Sequence, residues 1–234
     1  MPEIRILSTT AMKTSLEALT PAFERETGHT ITFAFAPSGR TAKLVAGGAE
    51  NDIAVVTDRG IDELTEQGRI VAGTRVDLAR SPMALAVQKG APKPDISSAE
   101  QFRETMLAAK SLAMSNPVGG GQSGAHLIRI FDRLGITEAM AKKSIYGPGG
   151  PAGLIGNFLL RKEVEIGIQQ LSELMAVPGI DIVGPLPPDI QTKTVFSAGL
   201  SSNAKNPDGA KAFLARLATP AMAEIVTSKG MEAP

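Results

Sequence analysis

Phe35-Ala36-Pro37-Ser38-Gly39-Arg40 is the stretch on which the reading of the fold turns. It follows an apolar run, Ile31 to Phe35, that reads as a short buried strand. It precedes Thr41 to Ala46, which reads as a helix. Pro37 ends the strand because it has no N–H for a ladder. Ser38 is placed to cap the helix, and Gly39 lets the backbone approach a bound group closely. A small-residue loop at a helix N-terminus offers free N–H groups and the positive end of the helix dipole, which together suit an anion.

Similar loops recur. Val118-Gly119-Gly120-Gly121-Gln122-Ser123-Gly124 opens an expected helix from Ala125, and Gly147-Pro148-Gly149-Gly150-Pro151-Ala152-Gly153 opens another from Leu154. Around them strand, loop and helix alternate. Ile4 to Leu7 and Asp52 to Val56 read as strands, and Ser15 to Glu26 as a helix in which Pro21 allows a break. Such alternation predicts an α/β fold with a mostly parallel sheet. Arg80-Ser81-Pro82 interrupts the pattern, and Met83 to Val87 is apolar enough to be a strand of another sheet. The expected architecture is two α/β lobes, residues 1–80 plus 195–234 and residues 81–194. Ligands of open α/β sheets bind beyond the carboxyl ends of the strands. A cleft closing by hinge motion is therefore expected.

Composition narrows the function. Lysine plus arginine and aspartate plus glutamate both number 24, so the formal net charge is zero and no nucleic-acid partner is implied. There are no cysteines, which removes disulfides, thiol chemistry and Cys-based zinc sites. With no Trp and one Tyr, a sugar site of stacked rings is not expected. No apolar run reaches membrane-spanning length. Met1-Pro2-Glu3 leads directly into Ile4 without a signal peptide, so a periplasmic location is expected if a leader was removed and a cytoplasmic one otherwise. No metal or other cofactor is expected, and nothing suggests anything but a monomer.

The loop at 35–40, the following Gly47-Gly48-Ala49-Glu50-Asn51-Asp52-Ile53, Asn116-Pro117, and the tail Ser201 to Leu214 resemble the periplasmic molybdate-type substrate-binding proteins of ABC transporters. These belong to the broader class of bacterial extracellular solute-binding proteins. The resemblance covers essentially the whole chain. It implies two hinge-linked lobes, a membrane component of an ABC transporter as partner, and a small anionic ligand held without metal by hydroxyls and backbone N–H groups. Carried over by position, the first-lobe site falls at Thr10, Ala11, Met12, Ser38 and Gly39, and the second-lobe site at Ser123, Gly124, Ala152, Gly153 and Gln170, with Gln169 before it. Molybdate binders of this kind place a Ser where this chain has Ala11 and a Tyr where it has Gln170, and they lack an Arg at the position of Arg40. Two hydroxyls are lost or moved and a cation is gained. A guanidinium fork matches a carboxylate, so an organic di- or tricarboxylate is expected rather than molybdate or tungstate.

Each candidate also has a plain reading. Arg40 could be solvated, but its place in the loop favours ligand contact. Arg80 reads as a hinge salt-bridge partner, Met12 as wall, Tyr146 as packing, His29 as surface, and Asp58 as a helix cap. His126 reads as a helix-surface residue in the first turn after the second loop. The leading functional expectation is capture of a carboxylate for an ABC-type transporter. The alternative is an isomerase of a small tricarboxylate such as aconitate, which some proteins similar to this class are. That chemistry needs a base. The candidates are His126, Tyr146 and Asp58, and none has a spacing that identifies it.

Overall fold

The structure, a computed structural model, describes residues 2–234. The chain forms two units, one built from residues up to Ser81 and from Thr194 onward, the other from Pro82 to Lys193. Both are α/β, each with a five-stranded mixed sheet.

In unit 1 the strands are β1 (Glu3–Thr9), β2 (Thr30–Ala36), β3 (Ile53–Thr57), β4 (Val76–Ser81) and, after the chain returns, β10 (Thr194–Leu200). The sheet order is β2-β1-β3-β10-β4. β1 runs parallel to β2, pairing Thr9 with Ala36, and parallel to β3, pairing Ser8 with Val55. β10 runs antiparallel to β3 and β4. β3 is apolar almost throughout because it is covered on both faces. One face packs against α1 (Lys13–Thr27), α9 (Pro207–Leu217) and α10 (Pro220–Ser228) through Leu16, Phe23, Phe213 and Val226. The other packs against α2 (Ser38–Ala46) and α3 (Asp58–Glu66) through Val45, Ile61 and Leu64.

Pro21 does not break α1, which is continuous from Lys13 to Thr27. Pro21 is on the exposed side, where water can satisfy the Glu17 carbonyl that loses its partner. The helix ends at Gly28, whose φ of 72° is the left-handed conformation that glycine adopts without strain. β4, where the sequence showed only an interruption, is an edge strand in which exposed Asp77 and Arg80 flank buried Leu78 and Ala79. Arg80 forms no salt bridge among the described residues; its guanidinium reaches the Ala233 carbonyl at 3.4 Å while its backbone pairs with Glu232.

In unit 2 the strands are β5 (Met83–Gln88), β6 (Leu112–Ser115), β7 (Ser144–Gly147), β8 (Ile166–Gln170) and β9 (Ile180–Pro185), in the order β7-β6-β8-β5-β9. β6, β7 and β8 are mutually parallel, and β5 is antiparallel to β8 and β9. One face carries α4 (Ala99–Ala108), α5 (Gln122–Arg133) and α6 (Thr137–Ala141), packed through Phe102, Leu127, Phe131 and Met140. The other carries α7 (Gly156–Leu160) and α8 (Leu171–Met175), packed through Ile155, Leu159 and Leu174. Ser98 caps α4 by accepting the Gln101 N–H. β7 and α6 are short and broken by polar residues, so their periodicity does not stand out in the sequence.

Candidate functional site

In unit 1 the carboxyl ends of β1, β2 and β3 lie along one edge of the sheet, because the three strands are parallel and in register. Beyond them start a 3-10 turn (Thr10–Met12), α2 and α3. Thr10 is buried, and its hydroxyl has no hydrogen-bond partner among the described residues. A buried orphan hydroxyl is unfavourable unless a ligand or water completes it. Ser38 is the first residue of α2, and its hydroxyl does not cap that helix. Instead Ser38 Oγ accepts the N–H of Thr57 at 3.1 Å, tying the start of α2 to the end of β3. Accepting leaves Ser38 with its own proton to donate.

Thr57, not Asp58, caps α3, accepting the Gly60 N–H at 3.1 Å. Asp58 is the first helical residue and accepts the N–H of Arg59. Arg40 is exposed in the first turn of α2 and forms no ion pair among the described residues. Ala11 and Met12 are buried, and the Met12 side chain belongs to the core beside Leu16 and Phe23, so it is not a wall.

In unit 2 three parallel strands again end together. Ser115, Gly147 and Gln170 close β6, β7 and β8, with Ser115 opposite Gly147 and Met114 opposite Ile168. Ser123 is inside α5 and does not cap it; its hydroxyl donates to Ser115 Oγ at 3.0 Å, which leaves the Ser115 proton free to donate elsewhere. Gly124 packs α5 onto the end of β6 so closely that a Cβ there would meet the Ser115 carbonyl oxygen at 1.9 Å. Asn116 organises the intervening loop, its side-chain oxygen accepting the N–H groups of Val118 and Gly119. Ala152 and Gly153 form a 3-10 turn after β7, and Gly153 is buried. Gln169 is a brace: its side-chain oxygen accepts the N–H of Ile155 at 2.9 Å and pins that loop to β8. Gln170 is the buried last residue of β8.

His126 is partly buried in α5, and its Nδ1 lies 2.9 Å from a guanidinium nitrogen of Arg129. Burial, then the neighbouring charge of Arg129, pushes the His126 pKa down. Tyr146 is not packing: its side chain on β7 is 43% exposed. His29 stacks on Phe23 and lies 3.2 Å from the Pro2 carbonyl.

Sequence reasoning passed over Ser115 and Thr57. Both are strand-end hydroxyls level with the named loops, and the tell-tale was a Ser or Thr closing each apolar run. It also gave Asn51-Asp52 no task. Asp52 is buried, and its carboxylate accepts the backbone N–H groups of Arg5, Lys205 and Asn206 at 2.7, 2.6 and 2.8 Å, while Asn51 bonds Ser201. These residues stitch the C-terminal segment onto β1 and β3. Among the described residues no group of three metal-ligating side chains occurs.

The family model of the bacterial extracellular solute-binding proteins matches residues 4–232. Aconitate isomerase of Pseudomonas sp is 35% identical over 235 residues, covering 98% of this chain and 87% of that protein. Molybdate-binding protein ModA of Azotobacter vinelandii is 24% identical, covering 97% of this chain and 89% of that protein. The solved periplasmic molybdate-binding protein of the same organism superposes with a TM-score of 0.77 at 17% identity, over 99% of each chain, so this chain has the periplasmic binding protein fold. The chain belongs to the bacterial extracellular solute-binding protein family.

Proposed function

We propose that this protein binds a small unsaturated tricarboxylate of the aconitate type and isomerises it. The observation that carries the reading is the similarity, across nearly the whole chain, to an aconitate isomerase, which is greater than the similarity to the molybdate binder. The candidate residues support it. A tetrahedral oxyanion in a neutral-dipole site wants hydroxyls, and this chain has Ala11 and Gln170 at two such positions. A tricarboxylate wants a fixed cation, and Arg40 is an unpaired guanidinium at the end of the sheet that carries Thr10 and Ser38. On this reading the candidate carboxylate contacts of unit 1 are Arg40, Thr10 and Ser38 with the backbone N–H of Gly39, and those of unit 2, taken by itself, are Ser115, Ser123 and Gln170 with the backbone N–H groups of Gly124, Ala152 and Gly153.

Isomerisation of such a substrate is an allylic proton shift. A base removes a proton from the methylene carbon, and the released electron pair becomes the new double bond. The old double-bond pair takes a proton at the former vinyl carbon. Atoms and electrons balance without an oxidant or a reductant.

A second reading, favoured by the family model, is capture of the same carboxylate for an ABC-type transporter, acting as a monomer in the periplasm. Incubation with cis- and trans-aconitate, followed by absorbance, separates the two. We expect both isomers to converge on one equilibrium mixture. A saturable thermal shift with aconitate but no conversion would give the capture reading. A shift with molybdate and none with tricarboxylates would overturn both.

A further inference from the structure

Unit 2 has a cavity of about 530 Å³ at the end of its sheet opposite the strand ends of Ser115, Gly147 and Gln170. Ile166, the first residue of β8, is part of its wall, whereas Gln170 is the last residue of that strand. At about 3.3 Å per residue, ~13 Å of strand separates the two. Val87 pairs with Ile166 across β5 and β8 and lines the cavity beside it. The loop after β5 adds Pro92 and Pro94, and the end of α4 adds Ala108. A volume between about 300 and 1,000 Å³ is that of a small-molecule site.

The polar side chains of the lining are Gln88, Thr105 and Glu165. Gln88 anchors its Nε2 on the Val164 carbonyl at 2.9 Å, which leaves its Oε1 an open acceptor among the described residues. The Thr105 hydroxyl commits its proton to the Asp95 carbonyl at 2.7 Å, so it has only lone pairs left. Glu165 Oε2 accepts the Lys110 N–H at 2.8 Å. Its Oε1 has only the Lys110 ammonium, 4.0 Å away on a side chain that is 88% exposed. So loose and solvated a pair contributes little. Among the described residues no lysine, arginine or histidine lines the cavity. The nearby cations are engaged elsewhere. Lys93 Nζ donates to the Ile182 carbonyl at 2.9 Å, and Lys143 Nζ to the Leu107 and Ala109 carbonyls at 2.9 and 2.5 Å. The result is an apolar hollow with open acceptors and one negative charge.

We infer that this cavity is a binding site for a small primary ammonium carried on an apolar body, of the size of an arylalkylamine. An ammonium has three protons to donate and no lone pair. Glu165, Gln88 and Thr105 supply the acceptors, and the hydrocarbon part packs on Val87, Pro92, Pro94 and Ile166. An anion would meet Glu165 with no cation in the wall to offset it. The site therefore prefers the opposite charge to the candidate carboxylate contacts of unit 2, from the other end of the same sheet. It does not rest on the isomerase reading.

The test is titration of the isotope-labelled full chain with phenethylammonium chloride, read from amide NMR signals. Phenethyl alcohol and hydrocinnamate serve as probes of similar body and different charge. We expect saturable shifts at Val87, Gln88, Ala109 and Ile166, with the signals of Gly39 and Gly124 unmoved. Phenethyl alcohol should bind about fivefold more weakly, as expected for one partly exposed charge contact, and hydrocinnamate should not saturate. Glu165→Gln, whose amide oxygen can still accept the Lys110 N–H, should lower the phenethylammonium affinity about fivefold and leave phenethyl alcohol unchanged. Ala108→Leu, at an exposed position of α4, fills the hollow and should abolish binding of both. Equal affinity for the three probes, or no effect of Glu165→Gln, would mean an apolar surface indifferent to charge and would overturn the proposal. So would an absence of saturable shifts with phenethylammonium in the wild type, or shifts centred on Gly39 and Gly124. Each of these failures leaves the aconitate experiments above unaffected.

Discussion

Thr10 and Ser38 show two ways in which a hydroxyl can be prepared for a ligand. Thr10 is buried without a partner, and Ser38 accepts from Thr57 while keeping a proton to give. Replacing Thr10 by Val removes the hydroxyl at nearly constant shape. The free protein should keep or slightly gain stability, because an unsatisfied buried group is removed. Tricarboxylate affinity should fall about fivefold, the loss of one hydrogen bond of about 1 kcal/mol. Calorimetric titration checks the affinity and a urea melt checks the stability. Unchanged affinity would mean that Thr10 faces only the protein. Arg40→Gln should weaken the same ligand more strongly, since a charge-assisted contact is stronger than a neutral one. At this scale the sequence was informative about residue type and less so about role. Ser38 and Ser123, read from the sequence as able to cap their helices, cap nothing. Gln169 braces the loop at Ile155 and Met12 joins the core, because side-chain direction at a strand end depends on neighbours distant in sequence.

The helices are held against the strand ends by small residues rather than by ion pairs. Gly124 is the clearest case. A methyl group there would collide with the Ser115 carbonyl, which is backbone and cannot rotate away. Gly124→Ala should therefore destabilise the protein by about 3 kcal/mol, in the upper range for overpacking, and weaken ligand binding by lifting Ser123 from Ser115. Thr57→Ala should cost about 1 kcal/mol through loss of the α3 cap. Equilibrium urea unfolding measures both, and equal effects of the two would contradict the close packing seen at Gly124. Elements with long apolar runs, such as β2, β3 and β10, were legible in the sequence. β4 and β7 were not, because an edge strand is wetted on one side and its polar residues hide the alternation. α2 and α3 begin earlier than the periodicity indicated, since Ser38 and Asp58 precede the apolar face that signals each helix.

Over the whole molecule, the alternation of strand and helix gives an α/β fold, and the match of the family model to residues 4–232 gives the family. The motif pieces that carried the resemblance divide by task. Asn51-Asp52 and the segment from Ser201 to Asn206 hold the C-terminal part of the chain to unit 1, through buried hydrogen bonds that any ligand specificity would need. The loop at Ser38 and Gly39, by contrast, is placed at a sheet edge where a ligand can be met. This explains why a scaffold could be read from the sequence while the ligand could not: most of the recognisable residues serve the scaffold. The departures at Ala11, Arg40 and Gln170 therefore bear most directly on what is bound. The most direct measurement is proton NMR of trans-aconitate incubated with the protein in D2O. The account predicts conversion of trans-aconitate to cis-aconitate. trans-Aconitate recovered unchanged would contradict it.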